Sequence, residues 1–209
     1  MNEIWPVVHK ERDALIQDLA ALTTQQWTTP SLCPNWDIHD VLAHLVDDAK
    51  TTRVRFITQL VAARFDFDRV NASGVARERS ADPNETLTAL RSVRHRATSA
   101  PAPLATRLVE AFVHGEDIRR PLGIDRVYPT ADVATALRYQ AKTSVKFGGG
   151  KERLAGLRLI ATDTDFDEGV GKEVHGSAIA LLLAASGRSI PTSDLSGPGA
   201  MSLTETNER

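Results

Sequence analysis

Apolar residues recur at helical spacing through most of the first 125 positions, and the pattern changes character after a run of three glycines at Gly148-Gly149-Gly150. Ile4, Val7, Val8, Leu15, Leu19 and Leu22 predict a first helix over residues 2–22, closed by a polar Thr-Thr-Gln-Gln turn. A second stripe of Ile38, Val41, Leu42, Leu45 and Ala49 is extended by Ile57, Leu60 and Val61, which predicts one helix of about 25 residues. Asn35 or Asp37 supplies its cap. Residues 64–82 are polar, contain Asn71-Ala72-Ser73-Gly74, and read as a long crossover rather than a tight turn. A third helix starts near Pro83, a favoured first helical position, and runs through Leu87, Leu90 and Val93. The fourth covers residues 104–120, between Pro101/Pro103 and the stop signal Pro121-Leu122-Gly123.

Beyond Gly123 the pattern predicts a helix over 131–146, a strand over 157–162 and a second short strand over 169–174. An Ala/Leu-rich helix follows over 177–186 and ends at Gly187. From Ser189 onward the chain is rich in Ser, Pro, Gly and Thr and reads as poorly ordered apart from a short docking piece. The fold class is therefore α+β and mainly α. A helical domain spans 1–125, and 126–209 holds a linking helix, a small α/β domain and a flexible tail.

Composition narrows the function classes. The 209 residues carry a formal net charge of −2, with arginines scattered among carboxylates, so no basic footprint for nucleic acid exists. No apolar run approaches the roughly 20 residues that span a bilayer, and the N-terminus lacks a signal-like stretch, which predicts a cytoplasmic protein without membrane contact. Cys33 is the only cysteine, which excludes intramolecular disulfides and thiolate-rich metal sites.

The candidate chemistry lies on two of the predicted helices. Glu110 and His114 are four apart, so both project from one helix face, where a carboxylate and an imidazole can grip one ion. By itself such a pair is commonly a surface pair. Both residues, however, border the apolar stripe of their helix, and His44 borders the stripe of the second helix. A third ligand from there completes two histidines and a carboxylate, the donor set of a catalytic Zn²⁺ or similar divalent metal. Asp48 lies one turn beyond His44 and Asp117 nearly one turn beyond His114. Either can orient an imidazole, or each is a solvated carboxylate. His9, His39, His95 and His175 are weaker candidates. Cys33 reads as a small buried residue and not a nucleophile. Trp27 and Trp36 pack the intervening loop or wall a ligand site. Arg188 is a helix C-terminal charge by default, or else holds a substrate carboxylate.

The stretch Trp27-x-x-Pro30-Ser31-Leu32-Cys33-Pro34-Asn35-Trp36-Asp37-Ile38-His39-Asp40-Val41-Leu42-Ala43-His44-Leu45 resembles the N-terminal signature of the mycothiol-dependent maleylpyruvate isomerase family. Glu110-Ala111-Phe112-Val113-His114-Gly115-Glu116-Asp117-Ile118 resembles its second signature, and 157–163 with 176–188 is similar to its small C-terminal domain. The resemblance implies a DinB-like four-helix bundle of up-down-down-up connectivity and a divalent metal, commonly zinc, on His44, Glu110 and His114. It also implies mycothiol or a similar thiol as cofactor, acting on a small electrophilic substrate in isomerase or S-transferase chemistry. Two alternatives stand beside this reading. One is a non-catalytic metal- or ligand-binding bundle, the other a metal-dependent hydrolase with Asp48 or Asp117 as base. The sequence is silent on oligomeric state.

Overall fold

The computed structural model describes residues 4–204, which divide into two compact units between Asp125 and Arg126. The first unit is helical: α1 (Ile4–Leu19), α2 (Thr24–Trp27), α3 (Ile38–Lys50), α4 (Arg53–Ala62), α5 (Phe67–Glu78), α6 (Pro83–Val93) and α7 (Ala105–Leu122). Helix starts are set by side-chain caps. Asp37 and Asp40 form a reciprocal capping box at α3, as Thr23 and Gln26 do at α2, and Asp82 caps α6 with Pro83 in its first turn. Gly123 ends α7 in the left-handed conformation (φ 67°) that a helix C-terminus favours.

α1 packs against α6 and α7, and α3 packs against the same two helices. Their common core holds Leu15, Leu19, Trp27, Ile38, Val41, Leu42, Leu87, Leu90 and Ile118. Each fully buried leucine or isoleucine contributes about 2 kcal/mol of apolar transfer free energy.

The expected 25-residue helix is in fact two. Thr51 turns to extended geometry and its hydroxyl donates to the Asp47 carbonyl at 2.9 Å, while the Thr52 hydroxyl caps α4 by accepting from the Arg55 N–H. Two adjacent threonines thus offer the backbone partners that compete with continued helix. The expected crossover over 64–82 contains α5, a helix whose sequence is too polar to announce itself. Tertiary ion pairs hold it: Asp47 on α3 pairs with Arg77 at 2.6 Å and with Arg55 of α4 at 3.0 Å, and Lys50 pairs with Glu78 at 2.6 Å. Gly74 makes room there, because a Cβ at that position would press on the Asp47 carboxylate.

The second unit contains α8 (Thr130–Lys142), β1 (Leu157–Ala161), β2 (Asp167–Gly169), β3 (Lys172–Gly176), α9 (Ala178–Ala185), β4 (Leu195–Ser196) and α10 (Ala200–Thr204). The sheet order is β2-β1-β3-β4, with β1 and β3 parallel and the outer pairs antiparallel. The apolar α9 packs on α8 and on β1 and β3. Two expectations change here. The strand expected over 169–174 is split by a turn at Gly171, whose φ of 135° and contact with the Gly156 carbonyl admit no side chain. The tail expected to be poorly ordered instead supplies β4 and α10, anchored by the buried Ile190, Leu195 and Leu203. Its last five residues, 205–209, lie outside the described residues. No helix among the described residues is long and apolar enough to cross a membrane.

Candidate metal centre

α3 and α7 pack together, and the three side chains read as ligands meet where they do so. His44 is buried at mid-helix on α3, and Glu110 and His114 lie one turn apart on α7. Glu110 Oε2 is the hub, 3.2 Å from His44 Nε2 and 3.1 Å from His114 Nε2. One ligand atom from each residue lies within 4.8 Å of the other two, and the imidazoles meet edge to face with ring centres 4.7 Å apart.

Asp117 sets the protonation pattern. Its carboxylate, without exposed surface, accepts from His114 Nδ1 at 2.8 Å. A carboxylate can only accept, so Nδ1 carries a proton and a neutral His114 aims its Nε2 lone pair at the Glu110 oxygen. Two lone pairs facing each other at this distance need a shared positive charge, either a proton or a metal ion. Without a metal a proton serves. Burial pushes His114 down, but its hydrogen bonds to Asp117 and Glu110 outweigh that and raise it to about 9. Burial likewise pushes the Glu110 carboxyl up, and hydrogen bonds from His114 and His44 hold it well below the usual carboxylate range. Two imidazole nitrogens and one carboxylate oxygen, with one imidazole fixed by a buried carboxylate, fit a divalent ion of borderline softness. His44 differs from His114: its Nδ1 is buried without a protein partner, so nothing on that side fixes its tautomer.

The loop before α3 closes one side. Trp36 lies over His44 with ring centres 5.2 Å apart, and the Leu32 N–H donates to the Asp117 carbonyl at 3.2 Å, which ties the loop to α7 beside His114. Cys33 in this loop is half-buried and packs on the core.

Asp48, one turn from His44 on α3, does not bond its Nδ1, which has no hydrogen-bond partner among the described residues. It lies against the guanidinium of Arg107 and 3.8 Å from Arg12, both buried, so it ties α1 and α7 to α3. The expectation set Asp48 behind His44, and its oxygens face Arg12 and Arg107. Arg188, half-buried after α9 in the second unit, donates to the Ser186 carbonyl at 3.2 Å. Beside it is Arg153, which sequence reasoning did not single out; burial and the charge of Arg188 both lower its pKa. His39 is buried against Trp27 and bonds Thr86 at 2.8 Å, His9 and His95 stack on each other, and His175 pairs with Glu173. Arg12 and Arg107 were likewise not foreseen. Their partner is remote in sequence, and nothing local separates them from solvated arginines.

The first unit is a helical domain with a His/Glu/His cluster between two packed helices, and the second is a small mixed sheet with helices; the cluster has the composition of a candidate metal site. Residues 8–104 match the model of the mycothiol maleylpyruvate isomerase N-terminal domain, so the resemblance read from the sequence is borne out over that stretch. The matched span contains His44 and ends before α7, so Glu110 and His114 rest on the geometry. Two crystal structures of the mycothiol-dependent maleylpyruvate isomerase share the fold. The first, a variant with a histidine replaced by alanine, superposes with a TM-score of 0.61, the second with 0.60. Each is 15% identical, over 95% of this chain and 92% of the other. Comparison with curated protein sequences gives no match.

Proposed function

We propose that this protein is a metal-dependent enzyme that uses a low-molecular-weight thiol, mycothiol or a close relative, in isomerase or S-transferase chemistry on a small electrophilic substrate. The observation that carries this reading is the convergence of His44 and His114 on one Glu110 oxygen, with the His114 tautomer fixed by Asp117. His44, Glu110 and His114 would hold the divalent ion, zinc being the best match to the donor set. When bound, the ion lowers the pKa of a thiol at its open position, so that a thiolate is present at neutral pH to attack an electrophilic carbon.

The chain's own residues prepare that position. Asp117 keeps the His114 Nε2 lone pair available and holds the ring in place. Trp36 supplies an apolar wall over His44, which excludes water from that side. Glu110, with about 28% of its side chain exposed, marks where the cluster reaches solvent and a thiol can arrive. In the second unit, Arg188 is the candidate for holding a substrate carboxylate, since a guanidinium offers paired donors. The first unit is read as a DinB-like bundle in which α1, α3, α6 and α7 run up-down-down-up, and a thiol cosubstrate suits a reducing cytoplasmic setting. The hydrolase alternative is weaker, because Asp48 is held by two arginines and Asp117 by His114.

The test is thiol consumption by the metal-loaded full chain with mycothiol and a chloronitrobenzene acceptor, followed by cis–trans conversion of conjugated dicarboxylic substrates. Turnover that disappears in Glu110→Ala is expected. Absence of turnover with several thiols at full metal loading would leave the bundle a non-catalytic metal-binding protein.

A further inference from the structure

α4 exposes more of its apolar surface than any other helix of the first unit. It buries no residue fully: Phe56 and Leu60 are half-buried, and Arg55 pairs with Asp47 at 3.0 Å and with Glu78 at 3.6 Å. A second apolar row faces outward. Val54, Ile57 and Val61 recur at i, i+3 and i+7, which places them on one side of the helix, and they are 73%, 53% and 58% exposed. Phe65, in the turn that follows, and Phe67, at the start of α5 with its ring 6.3 Å from that of Phe56, are 70% and 37% exposed close by in sequence. These five are nearly half of the exposed large hydrophobic residues among those described, gathered within fourteen positions of sequence. Scattered apolar residues on a surface need no explanation, but a contiguous patch built on one helix does.

We propose that the outer face of α4, with Phe65 and Phe67, is a symmetric docking surface for a second copy of this chain. Two observations favour that occupant. The first is area: the five side chains expose on the order of 500 Å², so a two-fold pair would remove about 1,000 Å² from water, the lower bound for a specific dimer. The second is charge. Arg53 begins α4, and Asp66 and Asp68 follow its end. In an antiparallel pairing of two α4 helices, Ile57 of one copy meets Val61 of the other. The same pairing brings Arg53 towards Asp66 and Asp68 of the second copy at both ends, as an isologous contact requires. The salt bridges that hold α4 and α5 to α3 fix the patch in place before it docks.

Sedimentation velocity of the full chain from about 1 to 100 μM tests this directly, a range that brackets a micromolar interface. Wild type is expected to approach twice the 22.8 kDa chain mass at the upper end. Ile57→Glu and Val61→Glu should each weaken association at least tenfold while leaving the circular dichroism spectrum unchanged, since neither side chain is part of the core. Val127→Glu, 91% exposed elsewhere, should leave the dimer intact. A monomer across the whole range overturns the proposal, and so does a dimer indifferent to Ile57→Glu. Monomeric chain that floats with phosphatidylglycerol vesicles, and ceases to do so in Ile57→Glu, also overturns it by assigning the face to a lipid surface.

Discussion

Replacing Asp48 with asparagine removes the carboxylate that lies against both Arg12 and Arg107. The three side chains are only 11%, 7% and 6% exposed, so the substitution leaves two guanidinium charges in a poorly solvated place between α1, α3 and α7. Breaking a buried ion pair by removing one partner costs about 3–5 kcal/mol. The lower end applies here. Arg12 keeps its bond to the Arg96 carbonyl at 3.0 Å and a longer one to the Arg94 carbonyl at 3.4 Å, and asparagine retains one acceptor oxygen. A loss of about 3 kcal/mol, or roughly 10 °C in Tm, is therefore expected in urea and thermal unfolding. Asp13→Asn is the control: that carboxylate pairs with Arg94 at 3.1 Å on an open surface, with both side chains 44% exposed, and its loss should cost about 0.5 kcal/mol or less. Metal affinity should be unchanged in Asp48→Asn. A destabilisation below about 1 kcal/mol, or a marked loss of metal affinity without loss of stability, would refute the reasoning and give Asp48 a part in orienting His44.

Asp117→Asn should lower metal affinity about 10–100-fold in chelator competition, because the charge that steadies His114 is gone. Metal affinity of the wild type should rise about tenfold per pH unit up to about 9, since His114 must shed the proton it holds before its Nε2 lone pair is free. In metal-free protein the same raised value stabilises the fold fully below His114's ordinary 6.5, and that contribution is lost as pH rises through about 9; denaturation of wild type against His114→Gln reads it. Gly74→Ala should destabilise by about 1–3 kcal/mol, seen in urea unfolding, because the added methyl displaces an Asp47 carboxylate already held by Arg55 and Arg77.

What could be read from the sequence was what is local. The i,i+4 spacing of Glu110 and His114 places them on one face of any helix, and the position of His44 at the edge of its stripe aims it into the packing of α3, whatever the partner helix. Asp48 and Asp117 looked alike by the same rule, each near a candidate histidine. They part company in the structure because Arg12 is 36 residues from Asp48 and Arg107 is 59, and no local pattern reveals those partners. The division of α3 from α4 was hidden by Ile57, Leu60 and Val61, which continue an apolar stripe although two of them face outward. α5 was hidden by its polarity, since only Val70 and Val75 among its large apolar residues are buried and ion pairs to α3 supply the rest. In the tail, the composition of a loop concealed three well-spaced anchors, Ile190, Leu195 and Leu203, each buried in the second unit.

Metal analysis of the purified full chain, alongside His44→Ala and Glu110→Ala, bears most directly on the central arrangement of three ligands. One divalent ion per wild-type chain, retained through gel filtration and lost from both variants while their helical content is preserved, is expected. Equal metal content in all three proteins, or a wild type that takes up none from excess zinc, would contradict a site built on His44, Glu110 and His114.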